Sequence, residues 1–448
     1  MDEKEQFERM TTAPVSRLIM RLSGPTILSM MVTAIYNLAD TFFVSQLGTS
    51  ASAAVGIVFS VMAIIQAVGF TLGMGSASLI SRRLGERKNE EANIIGSSAF
   101  AAALIFGSLL AVIGQIFINQ IMRLLGATET ILPYARNYAR YIFLGAPLMA
   151  VQFVMNNELR SEGKAAFSMI ALTTGGIINL LLDPVFIFLL KLGTKGAAIA
   201  TLISQSISFC IFIQFYIRKK SIVRYSVKYI SKKISVYWSI ISNGLPSLFR
   251  QGLASVATVL LNRSASVYSD AAIAGMSITM RIVMLVAGIM IGIGQGFTPV
   301  SGYNYGAKKY DRVKKAYLFT VEAGFVVMSL LAFFIIIYAP QIIRLFRDDP
   351  DVIKVGSTAL RYQCYALPLH CLIIGTNMLM QSTGNIVPAT FLSCNRQGIY
   401  FIPAILILPR LFGITGVEIS QMVSDILSVI TAIPYLIWFF RKLDRLKE

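Results

Sequence analysis

The chain has 448 residues, of which 55% are apolar and 14% charged, with a net charge of +18 and a mean hydropathy of +0.68. A soluble domain carries roughly 25% charged residues, so that class is excluded. The basic excess does not point to nucleic acid, because Lys and Arg collect between long apolar stretches. One histidine and four scattered cysteines give no metal-ligand spacing and exclude zinc chemistry.

Residues 1–12 mix both signs of charge and lack the apolar core of a cleavable signal; residues 15–23 read as an interfacial lead-in. Twelve spans follow, near 24–44, 53–80, 93–118, 133–158, 166–190, 196–217, 237–262, 272–300, 316–340, 355–380, 388–411 and 417–440, a bilayer crossing needing about 20 apolar residues. Span one carries Asp40, with Asn37 and Tyr36 on the same helical face at i−3 and i−4. Span five carries Asn179 one turn before Asp183, and Pro184 cannot donate to the Leu180 carbonyl. One turn into span six, Thr201 offers a hydroxyl at a comparable depth. The basic stretch from Arg218 to Lys233 reads as a solvated linker near anionic lipid headgroups. Beyond it, Arg250 and Gln251 lie in span seven, Arg281 and Gln295 in span eight, and Arg396 and Gln397 in span eleven. Asp425 in span twelve and Glu322 in span nine are available counter-charges. Asp348-Asp349 beside Pro350 reads as a turn and helix start. Cys364 and Cys371, seven apart on one helix, are separated by about 10.5 Å of rise, too far to bridge.

The pattern is written twice. Pro25, Gly85, Lys88, Arg140-Tyr141, Pro147-Leu148 and Gly163 recur 221 positions later as Pro246, Gly306, Lys309, Arg361-Tyr362, Pro368-Leu369 and Gly384. Gly193 and Gly196 recur at 220, as Gly413 and Gly416, one deletion later. A duplication in so apolar a chain is the pattern of a transporter. The expected fold is therefore an all-α polytopic membrane protein of twelve transmembrane helices. Residues 1–220 would form one six-helix lobe, 221–235 a cytoplasmic linker and 236–448 a second lobe, the two related by a pseudo-two-fold axis along the membrane normal. Loop charges place both termini in the cytoplasm by the positive-inside rule.

The copies disagree where chemistry is expected. Asp40 and Asp183 stand opposite Leu261 and Ala404. An ionised carboxylate at mid-bilayer costs at least roughly 2.5–3.5 kcal/mol, so each needs a partner or a wet cavity. With Asn179 and Thr201 they make a set of hard oxygens suited to a proton or a sodium ion. Conversely, Arg250, Arg281 and Arg396 stand opposite Ser29, Ser60 and Gly175. They read first as a structural salt-bridge network and second as a basic wall for anionic groups.

Several motifs together resemble the multidrug and toxic compound extrusion (MATE) family, most closely its prokaryotic DinF-like and MepA-like branches. They are the span from Pro25 to Asp40, Leu84-Gly85, Leu159-Arg160-x-x-Gly163, Asn179-x-x-x-Asp183-Pro184 and Tyr303-Asn304-Tyr305-Gly306-Ala307. The resemblance implies a plasma-membrane antiporter of a prokaryote, not an enzyme, exporting amphipathic and mostly cationic drugs or toxins for inward sodium or protons. It implies no cofactor, no partner beyond substrate and membrane lipid, and a monomer. It puts the coupling-ion site, for Na+ or H+, on Asp40, Asn179, Asp183 and Thr201, with either Asn156 or Asn157 of span four. Tyr36, Asn37, Tyr138, Arg250, Gln251, Arg281, Gln295 and Arg396 become cavity candidates. Where a NorM-like member has a further acid in span seven, this chain has Ala254. The rivals are a flippase of lipid-linked oligosaccharide or other lipid in the same superfamily, and a membrane transferase, for which the loops hold no acid or histidine motif.

Overall fold

The computed structural model describes residues 3–447, and these form helices and turns with no strand among them. In chain order the helices are α1 Glu3–Thr12, α2 Val15–Ser45, α3 Thr49–Gly85, α4 Asn89–Ile116, α5 Ile118–Leu124, α6 Leu132–Ser161, α7 Ala165–Pro184 and α8 Gly193–Ile217. They continue as α9 Ile234–Ser266, α10 Asp270–Gly306, α11 Tyr310–Phe346, α12 Pro350–Ala366, α13 His370–Ser382, α14 Ile386–Cys394, α15 Phe401–Phe412 and α16 Ile414–Arg445.

Ten helical stretches among the described residues are long and apolar enough to cross a membrane, and each coincides with an expected span. The other two expected spans have physical reasons to differ. Span seven lies in α9, a helix of 33 residues diluted by Asn243, Arg250, Gln251 and Arg263. Span ten is cut into α12 and α13 by a 3-10 turn at Leu367–Leu369, where Pro368 has no N–H to continue the ladder. Helix starts follow local chemistry: Asp349 Oδ1 accepts from Asp351 N at 3.0 Å and Val352 N at 3.3 Å with Pro350 at the first position. Ser269 caps α10 through Ala272 N at 3.0 Å.

The duplication extends to backbone angles. After the second span of each half, a non-glycine residue adopts positive φ, +60° at Arg87 and +57° at Lys308. Each turn is closed by the same bond, Lys88 N to Arg83 O and Lys309 N to Asn304 O, both 2.8 Å. After the fourth spans, Gly163 and Gly384 have φ of +78° and +80°, left-handed values that glycine adopts without strain. Gly193 and Gly413 match likewise at φ +57° and +62°.

The chain divides into two compact units, Met1–Phe7 with Leu28–Gly244 and Glu8–Ile27 with Leu245–Glu448. In the first unit, the opening of the stretch expected as a solvated linker is instead strapped down. Ser221, Ile222 and Val223 are buried. The Glu162 carboxylate, itself buried, accepts from Ser221 Oγ at 2.6 Å, Ile222 N at 2.7 Å and Val223 N at 3.2 Å. Asn93 Oδ1 accepts from Arg224 N at 2.8 Å, Tyr225 OH donates to Glu158 Oε2 at 2.6 Å, and Tyr225 stacks on Tyr216 at 4.2 Å. Backbone groups leaving the membrane need partners, and the side chains of α4 and of the end of α6 supply them. Solvation is left to the exposed Lys and Arg side chains around the strap.

Candidate functional site

In the first unit, four helices converge on the buried acids. From α2 comes Asp40, 6% exposed; from α6, Tyr138; from α7, Asn179 and the fully buried Asp183; from α8, Thr201. Tyr138 OH donates to Asp40 Oδ2 at 3.2 Å. Asn179 Nδ2 donates to Asp183 Oδ1 at 3.2 Å and reaches Thr201 Oγ1 at 3.5 Å. The carboxylates of Asp40 and Asp183 lie close enough to feel each other's charge, and Tyr138 sits beside both acids and Thr201. Three oxygens of this group, Asp40 Oδ1, Asn179 Oδ1 and Asp183 Oδ2, are buried with no hydrogen-bond partner among the described residues. Buried polar atoms are seldom left this way. Three acceptors, two of them on acids, with no cationic side chain in the group, are the kind of oxygen set that a small hard cation or protons would require.

A pair of glycines one turn before Asn179 explains how the helices come so near. A Cβ on Gly175 would lie 1.9 Å from Ser208 Oγ of α8, and one on Gly176 would lie 2.9 Å from Val32 Cγ1 of α2. Small residues let membrane helices approach closely, so α7 is held against α8 on one side and α2 on the other. A Cβ on Gly176 would also lie 3.2 Å from Cδ1 of the half-buried Tyr36, whose ring sits beside Asp40 and Gln205. Asn37 is half-buried one turn before Asp40. Immediately after Asp183-Pro184 the chain runs as a π-helix, Val185–Leu189, a local defect often found at functional positions.

The asparagines of α6 are not brought into this group. Asn156 Oδ1 accepts from Ser168 Oγ; Asn157 donates to Phe153 O at 2.7 Å and accepts from Arg160 at 2.8 Å. Asn156 stands 18 positions beyond Tyr138 on one helix, about 27 Å of rise. Helix length alone separates it from the acids.

The second-unit arginines have three different surroundings. Arg396 Nε donates to Asp425 Oδ1 at 2.7 Å, the expected salt bridge. Arg250 reaches Asn377 Oδ1 at 3.4 Å, and Arg281 is exposed. Gln295 is buried, Gln251 half-buried and Glu322 exposed. His370, set aside in the sequence because it has no second histidine, proves to bond Asp425 Oδ2 at 2.9 Å. No spacing pattern announces that contact, since positions 370 and 425 lie on separate helices.

Comparison with known proteins agrees with this architecture. The MatE family model matches twice, over residues 25–185 and 246–406, the same two copies offset by 221. Multidrug export protein MepA of Staphylococcus haemolyticus is 28% identical over 422 residues, covering 94% of this chain and 93% of that protein. MepA of Staphylococcus aureus strain MSSA476 is 28% identical over 439 residues, with 97% and 96% covered. Among solved structures, a multidrug resistance MATE transporter of the MOP superfamily in an outward-facing conformation superposes with TM-score 0.92 at 29% identity, 98% of each chain covered. A MOP superfamily transporter from Pyrococcus furiosus superposes with TM-score 0.91 at 28% identity, also over 98% of each chain. With both copies matched and nearly the whole length aligned to transporters, the chain belongs to the MatE family and is a multi-pass membrane transporter.

Proposed function

We propose that the protein is a secondary antiporter that exports amphipathic, mostly cationic compounds in exchange for inward Na+ or H+. The coupling ion binds at Asp40 and Asp183, with Asn179, Thr201 and Tyr138 completing the site. The observation that carries this reading is the set of three unpartnered, buried oxygens on Asp40, Asn179 and Asp183. The relatives named for multidrug export support the substrate class. Both termini lie in the cytoplasm, and the transporter works as a monomer in the cell membrane of a prokaryote.

An ion shifts the protein between states only by its difference in affinity for them. Loading Asp40 and Asp183 from outside favours the substrate-releasing state, and substrate arriving from the cytoplasmic side favours loss of the ion. One inward charge yields about 2.3 kcal/mol per 100 mV. Exchange of one ion for one monovalent drug cancels that drive, whereas two carboxylates allow two ions and restore it. The flippase alternative calls for a basic cavity, and the pairing of Arg396 with Asp425 weighs against it. Proteoliposomes loaded with ethidium separate the two readings. An imposed sodium or proton gradient should drive dye loss, and each gradient applied alone identifies the ion. Dye retention under both would reject the antiporter and favour the flippase.

A further inference from the structure

The second unit holds a buried ionisable cluster for which the first unit has no counterpart. His370 opens α13, Asp425 lies on α16, and Arg396 sits in a π-helical turn, Asn395–Ile399. His370 and Asp425 are each 1% exposed. Asp425 Oδ1 accepts from Arg396 Nε at 2.7 Å and from Gln421 Nε2 at 3.0 Å, while Oδ2 faces His370 Nε2 at 2.9 Å. Arg396 Nη2 also faces that ring nitrogen, at 3.2 Å, and Ser424 Oγ ties the Arg396 carbonyl to α16.

The contacts cannot all be satisfied at once. A guanidinium only donates, and an imidazole nitrogen either carries a hydrogen or accepts one. If Nε2 carries a hydrogen it bonds Asp425 and meets Arg396 Nη2 donor to donor; if Nε2 is bare it accepts from Arg396 and leaves Asp425 Oδ2 without its donor. His370 Nδ1 and Gln421 Oε1 are also buried with no partner among the described residues. Helices α10, α11, α14 and α16 and the 3-10 turn Leu367–Leu369 pack against α13, and Arg396 reaches the ring from the π turn; of the groups at the ring among the described residues, Asp425 and Arg396 are the charged ones. Their charges cancel, so a proton on the ring would be the only net charge of the cluster.

We propose that His370, Asp425 and Arg396 form a second proton-binding site, independent of the first-unit acids. A hydronium ion gives up one O–H bond, its proton forms an N–H bond at His370 Nδ1, and a neutral water molecule is left. The imidazolium keeps Asp425 through Nε2–H, and Arg396 Nη2 is released from the ring while Nε holds Asp425 Oδ1. The occupied site carries a net single positive charge, which disfavours a cationic substrate nearby and promotes its release.

His370 is the one histidine of the chain, so histidine labelled with nitrogen-15 gives a single ring spectrum from the full-length protein in lipid nanodiscs. Lowering the pH from about 9 to about 5, a range bracketing an ordinary imidazole, should convert that spectrum from the neutral to the imidazolium pattern while circular dichroism stays unchanged. His370→Gln, which still donates to Asp425 but does not titrate, should flatten the acid limb of the efflux–pH profile. A neutral ring throughout that range overturns the proposal, and so does a wild-type profile in the variant. Because the spectrum is read on the unsubstituted protein, misfolding of the variant does not leave the matter open. Repeating it in Asp40→Asn separates this site from the first: here the ring must still titrate, whether or not that substitution stops transport.

Discussion

Replacing Asp40 with asparagine should leave the protein folded and inserted while reducing ethidium efflux by about 100-fold. Asparagine keeps nearly the same volume and an oxygen that can accept from Tyr138 OH, now at 3.2 Å, so packing among α2, α6 and α7 survives. What disappears is the charge. A contact to a charged partner is worth up to about 3 kcal/mol, and each 1.36 kcal/mol is tenfold. Asp183→Asn should behave similarly. The double variant should be little worse than either single one, because residues serving one site are not additive. The measurement is the initial rate of dye loss per reconstituted protein, with insertion checked separately. Wild-type efflux in Asp40→Asn would remove the first-unit acids from the mechanism.

The second large effect is expected at Glu162, where the strap between the halves is fastened. Removing the carboxylate in Glu162→Ala strands the N–H groups of Ile222 and Val223, while Ser221 Oγ keeps its bond to Val223 O at 2.9 Å. At about 1–3 kcal/mol for each buried donor left unpaired, the two N–H groups together lose about 2–6 kcal/mol. Burial pushes the Glu162 carboxyl up from its ordinary range, and Lys164, Ser221 and the two backbone N–H groups pull it back. Glu162→Gln, which retains an acceptor oxygen for the strap but loses the charge that faces Lys164, should cost less. Thermal unfolding in detergent measures the loss, and trypsin cleavage at Lys219, Lys220 and Arg224 reports release of the strap. If Glu162→Ala melts like the parent and resists trypsin equally, the strap is held by something else.

The sequence foretold those features that rest on periodicity. A repeat of 221 predicts two copies of one helical pattern, and the agreement reaches the φ angles at Arg87 and Lys308. Asn179 and Asp183, four apart on one helix, were readable as neighbours, and they bond at 3.2 Å. Contacts between distant segments were not readable. The Glu162 strap depends on backbone donors, which leave no mark in side-chain composition. His370, Arg396 and Asp425 come from three elements with no common spacing, so the histidine looked isolated. Asn156 illustrates the converse: its residue type suited the coupling site, but helical rise places it beside Ser168. The Gly175-Gly176 pair was a usable signal, since adjacent glycines one turn before a buried polar residue mark where two neighbouring helices close in.

The most direct test asks whether substrate and ion exclude one another through the Asp40–Asp183 cluster. Detergent-solubilised protein is loaded with radioactive sodium, or held in weakly buffered medium with a proton indicator, and a cationic substrate is then added. The parent protein should release one of these ions stoichiometrically, and the Asp40→Asn, Asp183→Asn double variant should release none. Substrate binding that releases neither ion, or equal release from the double variant, would contradict coupling at these acids.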